Sequence, residues 1–101
     1  MSAPVLGIDL GTRYALSAVP VKGKGVLVVP SRWGGGRTPS VTALTQSGWL
    51  AGEDAARSEM KNPSTTWWDM KRKLGSPWRA RCGRASYTAE DVLVPLLTLL
   101  R

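Results

Sequence analysis

Two stretches of the chain carry side chains that could do chemistry on an anion. The first is "GIDLGT", residues 7–12, an apolar run holding one carboxylate, Asp9, two residues before Gly11. A carboxylate near the carboxyl end of a strand can accept hydrogen bonds from the waters around magnesium, which keeps most of its water shell when it binds phosphates. Gly11 permits a positive φ, and successive N–H groups of such a bend can converge on an anion. Thr12 adds a hydroxyl and another N–H. The ligand implied is a magnesium-bound polyphosphate. The second stretch is "WWDMKRKLG", residues 67–75. There Lys71 offers a compact cation that can reach a terminal phosphate and stabilise charge developing in phosphoryl transfer. Each stretch has a plainer account. Aspartate and glycine are ordinary turn residues, and Lys71 lies beside Arg72 and Lys73, as on a solvated basic helix face. On these residues alone the plainer accounts are preferred.

Composition narrows the alternatives. A chain of 101 residues is one small domain or a piece of a larger one. It has no histidine, which excludes imidazole-dependent triads and metal sites. One cysteine, Cys82, cannot form an internal disulfide or a multi-cysteine zinc site, and it reads as a loop thiol. The net charge of +7 favours anionic partners without specifying a fold. No Walker-type "GKS" or "GKT" occurs. The first residues lack a basic segment before an apolar run, so a secretory leader is not expected. No apolar run is long enough to span a bilayer. A reduced, cytoplasmic setting without a membrane anchor is expected.

The elements that would position these groups follow from patterning. Pro4 to Leu10, Tyr14 to Val21 and Val26 to Val29 read as strands, with "KGKG" (Lys22 to Gly25) as a hairpin turn, giving an antiparallel meander. "PSRWGGGRTP" reads as a loop. Ser40 to Leu44 and Trp49 to Ala51 are short strands around the turn "QSG". Glu53 to Asn62 reads as a helix with acidic residues in its first turn, closed by Pro63. Thr65 to Leu74 is a second helical candidate with Trp67, Met70 and Leu74 on one face. Ser76 to Ser86 reads as basic and irregular. "TAED" (Thr88 to Asp91) resembles a capping box opening an apolar helix that Pro95 should kink or break. The dense run Leu96, Leu97, Leu99 and Leu100 suggests a chain cut from something longer, or a face for self-association.

Taken in order, "GIDLGTRYALSAV", "VVPSRWGGGRTPSVTAL" and "WLAGEDAARSEMKNPSTTWWDMKRKLG" resemble the start of heat-shock-protein-70 (DnaK-type) chaperones. The likeness covers roughly residues 5 to 75 and resumes more weakly at "YTAEDVLVPLL". It implies an α/β fold: a first-lobe fragment of an actin-like, ribonuclease-H-like ATPase domain, with an antiparallel β-meander followed by short strands and helices. Residues 1–38 would form the opening meander and first phosphate loop. Residues 39–101 would form a trimmed peripheral subdomain, with the rest of the ATPase domain and the peptide-binding domain absent. The implied cofactors are ATP and magnesium. Asp9 would face the magnesium water shell, and Gly11, Thr12, Arg13 and Tyr14 would form the phosphate loop. Lys71 would be the lysine required for hydrolysis. In the intact family the partners would be unfolded polypeptides, J-domain co-chaperones and nucleotide-exchange factors.

The chain departs from the family pattern at several points. Arg13 stands where a second threonine is usual, which loses a hydroxyl and introduces a bulky cation. Lys73 replaces an apolar residue, and the stretch from Gly75 to Tyr87 is short. Half a cleft would leave a nucleotide wet, so the chain alone is expected to bind ATP weakly or not at all and not to turn it over. The rival readings are a basic nucleic-acid-binding module and a non-catalytic protein-interaction module. For the first, Lys71, Arg72, Lys73, Arg79, Arg81 and Arg84 cluster near Trp67, Trp68 and Trp78. A basic surface loop with packed tryptophans is preferred to nucleic-acid binding. Trp33, Trp49 and Trp78 read equally as packing or interface residues.

Overall fold

The structure, a computed structural model, describes residues 5–23, 25–31 and 34–100. Its first sheet is the meander expected from the sequence. β1 (Gly7–Leu10), β2 (Tyr14–Val21) and β3 (Gly25–Val29) pair antiparallel in that order, and β4 (Thr38–Pro39) returns to pair with the start of β2. Leu10 lies opposite Ala15, and both meet the larger core. Asp9 is one residue earlier, so the pleat puts it on the other face. The far end of the sheet projects into solvent, with Val26, Leu27 and Val28 exposed. The radius of gyration is accordingly 15.0 Å, against about 13 Å for a compact domain of this length.

The second sheet holds β5 (Val41–Thr45) between β6 (Gly48–Ala51) and β7 (Thr66–Trp68), all antiparallel. Both faces of β5 are covered. Val41 and Ala43 meet Ala55 of α1 (Glu53–Ser58), and Thr42, only 2 % exposed, faces the other way. α1 ends at Ser58, sooner than the expected Asn62, and the chain passes through turns to a single 3-10 turn at Pro63–Thr65.

The helix expected from Thr65 to Leu74 does not form. Thr66 to Trp68 is a strand, and Asp69 then reverses the chain in the left-handed region (φ 56°) before a 3-10 turn over Met70–Lys73. The reason lies in the adjacent tryptophans. Trp67 packs on the larger core and Trp68 on the smaller one, on opposite sides of the sheet. Only a period of two can bury neighbours in opposite directions. Met70 is buried as expected, but Leu74 is exposed.

The segment read as irregular is a second hairpin, β8 (Arg79–Cys82) paired with β9 (Ala85–Thr88), with Gly83 at φ 64° in its two-residue turn. Its alternation was hidden by charge: Arg79 and Arg81 face solvent while Ala80 is buried. Arg79 Nε donates to Ser86 Oγ across the pair at 2.9 Å. Cys82 is therefore a strand residue, half-buried and free, rather than a loop thiol.

α2 (Ala89–Leu100) runs through Pro95 without breaking. The proline removes one helical hydrogen bond, but the carbonyl it leaves without that partner belongs to Asp91, an exposed residue. Meanwhile Val92, Leu93, Leu96 and Leu100 are buried at helical spacing. Burial of this face on both sides of Pro95 offsets the cost. It also consumes most of the leucine-rich run, leaving Val94 and Leu97 exposed. Among the described residues no helix is long and apolar enough to cross a membrane.

The start of α2 is capped as its sequence indicates. The Asp91 N–H donates to Thr88 Oγ1 at 3.1 Å, and the Thr88 N–H donates to Asp91 Oδ2 at 2.9 Å. The Thr88 N–H, then its hydroxyl, hold the Asp91 carboxyl below the usual aspartate range. A folded-state pKa below the unfolded one stabilises fully above the unfolded value, about 3.9, and that contribution is lost as pH falls through the folded value. Thr88→Ala is expected to lower stability by about 1 kcal/mol at neutral pH. Urea titrations at neutral pH and near pH 2 check this. The difference between wild type and variant should shrink in acid, because part of the reciprocal pair is already lost there.

Candidate functional site

β1 and β2 are linked by Gly11-Thr12-Arg13, a turn closed by the Gly11 N–H donating to the Tyr14 carbonyl at 3.0 Å. A β-carbon at position 11 would stand 2.5 Å from that carbonyl oxygen, a separation real β-carbons essentially never show. The sequence suggested glycine for a positive φ. Gly11 is not among the positive-φ glycines; close approach of backbone to backbone is what requires it. Its N–H is committed within the turn. Among the described residues the Thr12 and Arg13 amides have no hydrogen-bond partner, so they are the donors the turn can offer an anion.

Three contacts tie this turn to the rest of the chain. The Ser40 N–H donates to the Arg13 carbonyl at 2.8 Å. The Arg13 guanidinium lies 4.3 Å from the centre of the Trp68 ring. Arg37 lies 4.2 Å from the centre of the Tyr14 ring, which is otherwise exposed. The cation introduced by Arg13 is thus spread on an aromatic face, an arrangement that favours a guanidinium. Trp68 is fixed in turn by its indole N–H, which donates to Glu59 Oε2 at 3.2 Å.

Ser40 also reaches the second stretch. Its carbonyl accepts the Asp69 N–H at 3.2 Å. Asp69 then turns the chain, Oδ2 pairs with Arg72 Nε at 2.9 Å, and Lys71 follows on the 3-10 turn with its side chain exposed. Gly11 and Lys71, separated by sixty positions, therefore line one pocket, together with Ser40, Thr42 and Asp69. Its volume of about 10 Å³ is close to that of a single water probe, far too small for a nucleotide. Any nucleotide phosphate would have to lie over its mouth.

The Asp9 side chain is exposed and, among the described residues, has neither hydrogen bond nor ion pair. It does not line the pocket shared by Gly11 and Lys71. The described residues contain no group of three or more acidic, cysteine or histidine side chains able to hold a metal ion directly. A lone free carboxylate suits a metal held through its water shell. Of the residues that would hold a magnesium–phosphate ligand, the structure brings Gly11 and Lys71 to one pocket and leaves Asp9, on the other face of β1 from Leu10, outside its lining.

Among the described residues, the tryptophans near the basic cluster pack against other side chains. Trp67 and Trp78 meet edge to face at 6.3 Å, Trp49 packs against Trp67 and Tyr87, and Trp68 is covered by Arg13. Trp49 and Trp78 are packing residues; Trp33 lies outside the described residues. Sequence reasoning missed Ser40 and Asp69. Asp69 did carry a signal, as the sole acid between Glu59 and Glu90, at a position where aspartate tolerates the left-handed region.

Comparison with known proteins agrees with this architecture. A family model described as "Hsp70 protein" matches residues 5–89. The chain is 38% identical over 98 residues to the "Chaperone protein DnaK" of Thermotoga petrophila, and to those of Thermotoga neapolitana and Thermotoga maritima. Each match covers 96% of this chain and 16% of the relative, so the chain spans about a sixth of the length of these relatives.

Gly11→Ala should force the β1–β2 turn open and lower stability by about 1–3 kcal/mol. Gly7→Ala is the control, because a β-carbon there would sit at an ordinary 3.6 Å from the Ala18 carbonyl. Chemical denaturation should separate the two variants clearly. Equal midpoints would mean that the turn is not held as described.

Proposed function

Because the chain belongs to the heat-shock protein 70 family, we propose that it forms one wall of the nucleotide cleft in a chaperone ATPase domain. The observation that carries this reading is the meeting of the Gly11 turn and Lys71 at one pocket. The chemistry supplied by bound magnesium-ATP is phosphoryl transfer. Asp9 would be the residue to accept hydrogen bonds from the metal's water shell, and the Thr12 and Arg13 amides would be the donors to a phosphate oxygen. The Lys71 ammonium stabilises negative charge as it develops on the transferred group. Arg13 keeps the backbone N–H of the family pattern, while its side chain is engaged on Trp68. Tyr14, exposed beneath Arg37, contributes to the wall beside the loop.

Residues 1–38 would be the opening part of the first lobe, and residues 39–101 the trimmed peripheral subdomain. β4 crosses that seam, since Pro39 still pairs with Tyr14, so the division fits better one residue later. The exposed apolar residues of β3 suit burial against further parts of an ATPase domain. In the whole protein, turnover would drive binding and release of unfolded polypeptides, served by J-domain co-chaperones and nucleotide-exchange factors, in the cytoplasm.

Half a cleft leaves phosphate exposed to water on the far side, so electrostatic stabilisation there is weak. Isothermal titration of the 101-residue chain with magnesium-ATP should give weak or undetectable heat and no hydrolysis; sub-micromolar affinity would contradict this. A chimera carrying residues 5–89 in place of the matching segment of Thermotoga maritima DnaK tests the function itself. It should hydrolyse ATP, and Lys71→Ala in it should slow turnover by roughly 10²-fold or more. Undiminished turnover in that variant would remove Lys71 from the mechanism.

A further inference from the structure

Two buried polar atoms have no hydrogen-bond partner among the described residues: Ser40 Oγ and Asp69 Oδ1. Ser40 is only 4 % exposed. Both residues line the small pocket between Gly11 and Lys71. A buried hydroxyl or carboxylate oxygen left unpaired is costly, more so for the charged group. Chains therefore rarely keep two such atoms in residues of one small pocket without a partner for each. The backbones of the two residues already meet through the Asp69 N–H and the Ser40 carbonyl, yet the two side-chain oxygens do not bond each other.

We propose that the pocket is a binding site for one ordered water that links Ser40 Oγ to Asp69 Oδ1. The pocket volume, about 10 Å³, matches one water probe. A buried water typically needs two to four polar partners, and these two atoms meet the lower requirement. A monovalent or divalent cation fits less well. Hard cations take six or more oxygen ligands, and the pocket also has Lys71 in its wall. The water accepts from the Ser40 hydroxyl and donates to the Asp69 carboxylate. The other oxygen of that carboxylate stays with Arg72.

The bridge gives Ser40 and Asp69 a role as positioning residues. Asp69 holds the left-handed turn from which Lys71 departs two residues later, and Ser40 holds the Arg13 carbonyl of the phosphate turn. One water thereby locks the spacing between the Gly11 turn and Lys71. The consequence for ATP turnover rests on the proposed function; the water site itself does not.

High-resolution crystallography of the whole chain tests the site without any nucleotide, so failure of ATP binding leaves this test intact. Wild type should show one solvent peak about 2.7–3.2 Å from both oxygens. Asp69→Asn, which keeps an oxygen acceptor and tolerates the left-handed region, should keep the peak. Ser40→Ala should lose it and move the Lys71 amide resonance in a ¹⁵N-correlated spectrum, whereas Asp69→Asn should move that resonance less. A direct Ser40–Asp69 hydrogen bond, an empty pocket in wild type, or an anomalous peak there after rubidium exchange would overturn the proposal. A Lys71 resonance unmoved in folded Ser40→Ala would overturn the positioning role. Should Ser40→Ala fail to fold, the wild-type and Asp69→Asn maps still decide the site.

Discussion

The candidate site depends on the backbone of one residue. Ser40 gives its N–H to the turn that follows β1 and its carbonyl to the segment that carries Lys71. Nothing in the chemistry of serine demands this; any residue but proline has the same two groups. What matters is where Ser40 sits. It follows Pro39, which pairs with β2, and precedes Val41, which begins β5. The two sheets are joined at this point, so the residue between them can address both. Its burial excludes water from the two bonds and makes each more expensive to break.

Packing holds that junction from both sides. Val41 and Ala43 are locked against α1, and the opposite side of β5 faces the core built on α2. Trp67, Trp49, Tyr87 and Trp78 form a chain of aromatic contacts that joins β6, β7 and β9 over that core. A short helix and two-residue strands could not supply this rigidity alone. The apolar face of α2, running unbroken past Pro95, is therefore part of how Lys71 is placed, although α2 contributes no group to the proposed phosphate contacts. Met70, buried next to Lys71, is the direct link between that core and the site.

Much of this is legible in the sequence. The meander, β5 and β6 followed from alternation and turn residues, and the cap at Thr88 followed from its spacing. Three features were not. Met70 and Leu74 extend a helical spacing from Trp67, and only the sheet partner for each face of the adjacent tryptophans decides otherwise. The β8–β9 hairpin was obscured because arginines occupy its outward positions. The turn at Gly11 is legible, but what requires glycine there is an approach of two backbone segments that local sequence does not reveal. Asp9, Gly11 and Lys71 could be named from motifs. Ser40 could not, since the two bonds that tie the turn to the Lys71 segment are made through its main chain.

Hydrogen–deuterium exchange at the Ser40 and Asp69 amides tests the junction most directly. Both should be protected to the level of Ala43 in the central strand and should open together, because each bond holds the same residue in place. Exchange of either amide at the rate of the exposed turn at Gln46 would contradict the account, since the turn after β1 and the segment bearing Lys71 would then move independently.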